Sequence, residues 1–507
     1  MSRAVVSPFD GANDSVHAIW SQQGLAGEVP VPHTRPAPMT QTKIVATVGP
    51  ASSSPQMLKR LIEAGVDVVR LNFSHGDHES HRAVIEAVRR IAAERRRAVA
   101  LLQDLCGPKI RTGKVAAGGV ELRDGARLTI TTEPGEGTAE RISTTYSALP
   151  RDVSPGDTIL LDDGGLELAV ESVSGEEVGT RVVHGGRLRS NKGMNLPGVK
   201  LSTPALTDKD RKDLGFGVEQ GVDYVALSFV RSARDVLECQ KLIADLGGDA
   251  PVIAKIEKRE AIDDLAAIVG VAGGLMVARG DLGVEMSTEE VPTLQKRIIA
   301  MANSAGKVVI TATQMLESMV TSPRPTRAEA SDVANAILDG SDAVMLSAET
   351  AAGSFPVETV ETMDRIASHT EGAFSVSRPE RLGATGSRVA RGLAAVASQV
   401  AEDLSCKLIV AFTETGAAAR LVSAFRPRIP IVGLTYSERT YNQLSLWWGV
   451  EPLLSRPSES VEQMIREGEA LLKERGLVSP GDSVLMLVGG HHQTGATNTL
   501  RVHEVGE

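Results

Sequence analysis

Val252-Ile253-Ala254-Lys255-Ile256-Glu257 and Gly274-Leu275-Met276-Val277-Ala278-Arg279-Gly280-Asp281 are two short apolar runs that end abruptly in charge. Runs of this length, rich in branched aliphatic residues, suit strands buried on both faces, as in a parallel sheet. The same pattern recurs on either side, at Lys43–Val48, Val66–Leu71, Val99–Gln103, Val222–Phe229, Val308–Thr311 and Ala343–Leu346. Helical spacing fills most of the gaps, as in Ser54–Ala64, His78–Ala93, Thr288–Ser304 and Thr326–Leu338. Ser54-Pro55 offers an N-cap followed by proline at the first helical position, and Gly65 and Gly340 stand where helices should stop. Eight strands alternating with helices predict an α/β fold, a (β/α)8 TIM barrel in preference to an open sheet.

The rhythm is interrupted once. Between the third and fourth runs, Glu121–Thr132, Thr158–Val170 and Val178–Arg189 alternate like strands and carry Gly-Asp and Asp-Gly turn signals. We expect residues 110–202 to form an inserted β-barrel lid domain, flanked by stiff segments at Pro108 and at Pro197 or Pro204. The barrel would then comprise residues 42–109 and 203–375, and residues 1–41, without sustained periodicity, a flexible N-terminal extension. Residues 376–507 resume a βα alternation, with helices at Val389–Asp403 and Val461–Arg475 and strands at Lys407–Phe412, Ile429–Leu434 and Ser483–Val488. That reads as a three-layer α/β domain for regulation or oligomerisation.

Composition excludes several classes of function. Aromatic residues are only 3%, so base-stacking platforms are not expected. The 54 Lys and Arg against 64 Asp and Glu leave a net charge of −10, which opposes binding to a phosphate backbone. Cys106, Cys239 and Cys406 are odd in number and far apart, so a disulfide framework is not indicated. No apolar run reaches the length of a membrane span. A cytoplasmic protein with neither nucleic acid nor membrane as partner is predicted.

The chemistry should lie at the C-terminal ends of the barrel strands. There the runs close with Arg70 through His75, Asp104, Ser228, Lys255 to Glu257, Arg279 to Asp281, Thr311 to Gln314, and Ser347 to Glu349. Lys255 and Glu257 are two apart in a strand and point the same way. They could form a salt bridge that merely caps the barrel. Together with Asp281, Glu257 instead describes a Mg²⁺ site, two hard carboxylates leaving room for water and substrate oxygens. Lys255 beside it can neutralise a phosphoryl group in transfer or a developing enolate. Arg70 adds a planar fork suited to phosphate or carboxylate. Gly280 permits close backbone approach or serves only a tight turn, and Thr313 can bond a carboxylate or cap backbone.

Longer stretches resemble the pyruvate kinase family. They are Lys43-Ile44-Val45 through Gly49-Pro50-Ala51, Arg70 through Gly76, Asn191-Lys192-Gly193, Asn195 through Gly198, Met276 through Gly283, Ala312 through Met319, Arg324 through Glu329 and Asp332 through Gly340. The resemblance implies transfer of a phosphoryl group from phosphoenolpyruvate to ADP, giving pyruvate and ATP, by a homotetramer. It implies Mg²⁺, with Mn²⁺ as an alternative, on Glu257 and Asp281. Arg70 and Lys255 would hold the phosphoryl group, and Gly280 and Thr313 the carboxylate end of the substrate. Asn72, His75, Arg111 and Lys192 would contact nucleotide phosphates. Asn72, Ser74 and Asp104 match monovalent-cation ligands. The proton for enolpyruvate is expected through water near Thr313 and Ser347. A Mg²⁺-dependent barrel lyase or aldolase acting on a 2-oxo acid is the alternative.

The family segment Thr-Lys-Gly-Pro-Glu is replaced here by Leu105-Cys106-Gly107-Pro108-Lys109. Potassium-independent members carry Lys at the position of Lys109, so its ammonium is expected to substitute for K⁺, which is then not required; pointing idly to solvent is the competing reading. Thr413, Thr415 and Gly416 join a predicted strand to a helix, and read as a site for a phosphorylated effector or as an ordinary helix cap.

Overall fold

Val252–Ile256 is a strand buried along its whole length, paired in parallel with Tyr224–Leu227 on one side and Gly274–Ala278 on the other. In the computed structural model, which describes residues 40–373, 382–383, 387–489 and 497–506, eight such strands close into a barrel. The ring runs in chain order through Lys43–Val48, Val68–Asn72, Ala100–Asp104, Tyr224–Leu227, Val252–Ile256, Gly274–Ala278, Val308–Ala312 and Ala343–Leu346. The expected N-terminal extension lies outside the described residues apart from Thr40 and Gln41.

Strand periodicity then decides what fills the barrel. Val45, Val68, Ala100, Leu102, Tyr224, Ala226, Ile253, Met276, Val308 and Ile310 share an apolar cluster, whereas their neighbours Ile44, Val69, Leu101, Val225, Ala254, Leu275 and Val309 pack with the surrounding helices. Continuing the inward series two residues at a time reaches Arg70, Asp104, Ser228 and Lys255. The polar rim is therefore the upper continuation of the barrel's interior face.

The helices begin where capping chemistry permits. The Ser54 hydroxyl accepts from Met57 N before Pro55–Ala64, and Thr326 with Glu329 forms a capping box before Arg327–Leu338. Gly65 ends the first of these at φ 126°, a conformation that a side chain would strain.

Each long run expected in the insertion is two strands broken at a turn: Val120–Leu122 with Arg127–Thr131, Thr158–Leu161 with Leu166–Ser174, and Glu177–His184 with Gly186–Leu188. Gly125 and Gly164 take positive φ at two of the breaks, which the Asp-Gly pairs foreshadow. Joined by Arg141–Ser143 and Met194–Asn195, these strands form a six-stranded sheet and a two-stranded ribbon over one shared core, an all-β unit inserted in the barrel. The C-terminal domain has a five-stranded sheet in the order Val450–Leu454, Ile431–Thr435, Leu408–Phe412, Ser483–Gly489, Thr497–Glu504, the last pair antiparallel. No helix among the described residues is long and apolar enough to cross a membrane.

Candidate active site

Four inward-facing series converge on one charged cluster. Lys255 Nζ lies 3.2 Å from Asp104 Oδ1 and 2.9 Å from Glu257 Oε1, and donates to Ser228 Oγ at 2.8 Å. Arg70 Nε bonds the other Asp104 oxygen at 2.6 Å, while its Nη1 donates to Thr47 Oγ1 at 2.9 Å. The second Glu257 oxygen accepts Phe229 N at 2.7 Å. Lys255, Asp104 and Glu257 are all buried. Charge in such a place must be matched within the protein, because water is not there to do it.

The ionisation states follow. Burial opposes the Lys255 charge, but Asp104 and Glu257 together hold the ammonium above the usual lysine range. Burial would raise Asp104, yet Lys255 and Arg70 outweigh it and keep that carboxyl below the usual range. Glu257 goes the other way: burial lifts it, Lys255 pulls it down, and the nearby Asp281 charge adds to the lift.

Glu257 Oε1, although close to the ammonium, accepts no well-aligned hydrogen bond. A buried carboxylate oxygen short of a partner and a second carboxylate, Asp281, on the adjoining cavity wall fit a Mg²⁺ ion that takes its remaining ligands from water and substrate. No group of three or more His, Cys, Asp or Glu capable of holding a metal occurs among the described residues.

The turn after the seventh strand meets the short helix Arg279–Glu285 that follows the sixth. A Cβ on Gly280 would come within 2.8 Å of Thr313 Cγ2, so only glycine lets the two approach. Thr313 has φ 78° and Gln314 φ 55°, a left-handed backbone that a β-branched residue rarely adopts. Arg279 holds it there: Nη2 donates to Thr313 O at 2.6 Å and to Gln314 O at 3.2 Å, and Nη1 pairs with Asp332 Oδ2 at 2.5 Å.

A cavity of about 270 Å³ opens beside Asp281, between the barrel and the inserted sheet. Lys109, Arg111 and Lys192 line it. Lys192 Nζ pairs with Asp162 at 2.7 Å, and Arg111 Nη1 donates to Asn191 O at 2.9 Å. His75 is held below the ordinary histidine range, by burial first and then by Lys109, Arg111 and Arg70, so its ring is neutral at physiological pH. Asn72 Oδ1 accepts Ser74 N at 3.1 Å, and Leu105 O accepts Ser228 Oγ at 2.7 Å. Thr413, Thr415 and Gly416 sit elsewhere, between Leu408–Phe412 and the helix Ala417–Ala424, with Gly416 at φ 80° and Thr440 Oγ1 bonded to Glu414 O at 2.7 Å.

Sequence reading placed Ser228 and Arg279 among the polar strand ends but gave them no role, because their partners come from other strands. Phe229 N, a backbone donor, carries no signal in the sequence.

Fixed charges at the mouth of a closed barrel, beside a cavity walled by an inserted sheet, fit an α/β-barrel enzyme acting on small anions. Comparison with known proteins narrows this class. Residues 39–360 match the family model "Pyruvate kinase, barrel domain" and residues 391–503 match "Pyruvate kinase, alpha/beta domain". "Pyruvate kinase 2" of Synechocystis is 50% identical over 93% of this chain and 80% of its own. The pyruvate kinase of Staphylococcus aureus strain USA300 is 44% identical over 92% of this chain and 81% of its own. The crystal structure of a pyruvate kinase from Cryptosporidium parvum superimposes with a TM-score of 0.85 at 37% identity, covering 92% of this chain and 96% of that one. The chain belongs to the pyruvate kinase family. It is an enzyme of glycolysis that converts phosphoenolpyruvate and ADP to pyruvate and ATP, and family membership implies dependence on Mg²⁺.

Proposed function

We propose that this chain carries out that reaction with Lys255, Arg70 and Thr313 as the residues at the reacting groups, and with Glu257 and Asp281 as its Mg²⁺ ligands. The observation that carries the assignment is the Lys255 ammonium fixed between Asp104 and Glu257 on the barrel rim. Phosphoryl transfer asks mainly for positioning and charge neutralisation. Lys255 and Arg70 supply fixed positive charge where the phosphoryl group sits, and Gly280 with Thr313 receives the carboxylate end. When bound, Mg²⁺ neutralises charge on the substrate's oxygens. Asn72, His75, Arg111 and Lys192 take the nucleotide phosphates, with support from the shared cavity for the last two. Water near Thr313 and Ser347 delivers the proton to enolpyruvate. A coupled assay with phosphoenolpyruvate, ADP and Mg²⁺ should give ATP and pyruvate; oxaloacetate cleavage without ADP is the result that would favour a lyase instead.

Potassium is not required. Two of the three residues that match monovalent-cation ligands already have protein partners: both Asp104 oxygens face Arg70 or Lys255, and Asn72 Oδ1 takes Ser74 N. Lys109, whose charge is felt at His75, supplies the missing positive field. Assays in tetramethylammonium buffer should show full turnover, and Lys109→Glu should create a K⁺ requirement. A large rise in kcat on adding KCl to the parent enzyme sinks this reading.

The working assembly is a homotetramer, and the Thr413–Gly416 loop takes a phosphorylated effector. Support for assembly comes from apolar Val389 and Val396, seven residues apart on the face of Arg388–Asp403, which are 58% and 48% exposed in the single chain. Light scattering should give four times the chain mass of 53.5 kDa. Sugar phosphates or AMP should shift substrate affinity, and Thr413→Ala should abolish that shift.

A further inference from the structure

The lid's two connections to the barrel both rest on a single turn, Ser228–Arg231, and that turn also holds Lys255 and Glu257. Ser228 Oγ accepts from Lys255 Nζ at 2.8 Å and donates to Leu105 O at 2.7 Å, on the chain leaving for the lid. Phe229, at φ 54°, donates its N–H to Glu257 Oε2 at 2.7 Å. The Phe229 ring presses on Gly107 of the outgoing segment, where a Cβ would come within 2.6 Å of Cδ2.

Arg231 grips the returning segment. Its Nη1 donates to Leu201 O at 2.7 Å and its Nη2 to Thr203 O at 2.8 Å. The residue between them is bound from the lid side, Ser202 N donating to Asp152 Oδ2 at 2.8 Å, with the hydroxyls of Ser202 and Tyr146 also on that carboxylate. Leu201, Thr203, Phe229, Arg231, Lys258 and Asp281 all line the 270 Å³ cavity. A nucleotide entering it touches the hinge and the turn together.

We propose that the Ser228–Arg231 turn couples the position of the lid to the Lys255–Glu257 pair, with Arg231 as a positioning residue that sets the returning hinge over the nucleotide cavity. The coupling half rests on the assignment of Lys255 and Glu257 made above. A planar guanidinium donating to two carbonyls of one segment fixes that segment's direction as well as its distance. Rotation of the lid about residues 201–203 must break or re-aim both bonds. The turn has little slack to absorb such a movement, since Phe229 is pinned by its backbone bond and by the contact with Gly107. A shift at Arg231 therefore reaches the oxygen of Glu257 and the hydroxyl that orients Lys255.

The test uses Arg231→Ala and Arg231→Lys in the full-length enzyme with Mg²⁺. Arg231→Ala should raise KM for ADP about tenfold or more and lower kcat, as expected for misplaced reacting groups. Arg231→Lys should recover part of the loss, because an ammonium can serve one carbonyl but not both. Equilibrium affinity for phosphoenolpyruvate without ADP should fall by clearly less than that for ADP, since only the coupled turn and not the hinge touches that substrate's site. Hydrogen exchange should quicken at residues 200–204 and 228–231 together. If exchange quickens only at 200–204 while kcat and KM for ADP stay near the parent values, Arg231 is merely structural and the proposal fails. An equal loss of phosphoenolpyruvate affinity overturns it as well, since the effect would then be general. Near-parental kcat in Lys255→Met is a separate result: it removes the underlying assignment, and with it the coupling, whatever Arg231→Ala does to ADP.

Discussion

Lys255 is held in place by Asp104, Glu257 and Ser228 in the free protein, so its charge needs no rearrangement to meet a phosphoryl group. Lys255→Met should therefore lower kcat by ~10²–10³ or more while leaving Mg²⁺ affinity mostly intact. Asp281→Ala should do the reverse, weakening Mg²⁺ binding and abolishing turnover at ordinary metal concentrations. Steady-state kinetics with metal titration by calorimetry separates the two. Glu257 adds a pH dependence. Its carboxyl is raised above the ordinary value of about 4.3, so with Glu257 as a Mg²⁺ ligand protons would compete with the metal at a higher pH than for a free glutamate. Mg²⁺ affinity should fall as pH is lowered through that raised value. Stability moves oppositely: the folded form holds the proton more tightly than the unfolded one, so the parent loses stability as pH rises through the same range. Glu257→Gln should flatten that dependence in urea denaturation at several pH values, with loss of activity at all of them.

Among the elements, the seventh strand ends in the least comfortable backbone of the site. A β-branched residue at φ 78° costs about 1–3 kcal/mol and persists because Arg279 binds the carbonyls of Thr313 and Gln314. Thr313→Gly should relieve that strain, leaving the thermal midpoint unchanged or higher while substrate binding and turnover fall. A lowered midpoint would show the side chain to be structural. Four barrel strands, Lys43–Val48, Val252–Ile256, Gly274–Ala278 and Ala343–Leu346, occupy the residues that their apolar runs indicate. Val450–Leu454 and Thr497–Glu504 were not foreseen. Both are edge strands: the first contains Pro452, which an edge tolerates, and much of the second is exposed and lacks an apolar face.

At the scale of the whole molecule, the interior of the barrel and the core of the C-terminal domain form one apolar cluster, from Val45 and Ile310 through to Ala419 and Trp447. One buried ion pair crosses this contact. Arg426 Nη1 meets Asp342 Oδ1 at 2.6 Å, Nη2 donates to Gly340 O at 2.8 Å, and the guanidinium lies 5.0 Å from the Trp448 ring centroid. Arg426→Ala leaves Asp342 buried without its counter-charge and should destabilise the fold by about 3–5 kcal/mol. Replacing both partners with apolar residues should recover much of that loss, as a double-mutant cycle in urea would record.

By itself the sequence determined the parts of this protein that depend on short range. The period of two along each strand, the capping residues and the turn glycines act over a few positions, and so the barrel, the inserted β unit and the polar strand ends were legible. Only the tertiary structure decided which polar ends touch. Asp104 meets both Arg70 and Lys255 because closing the ring turns the inner faces of the second, third and fifth strands toward one centre. Thr313 takes its left-handed backbone because Arg279 reaches it from the neighbouring strand end. Arg231 meets the lid hinge, and Arg426 meets Asp342, across chain separations that no local pattern spans. Such contacts are set by closure and packing of the whole chain, where sequence neighbours carry no information about which distant charge will be near.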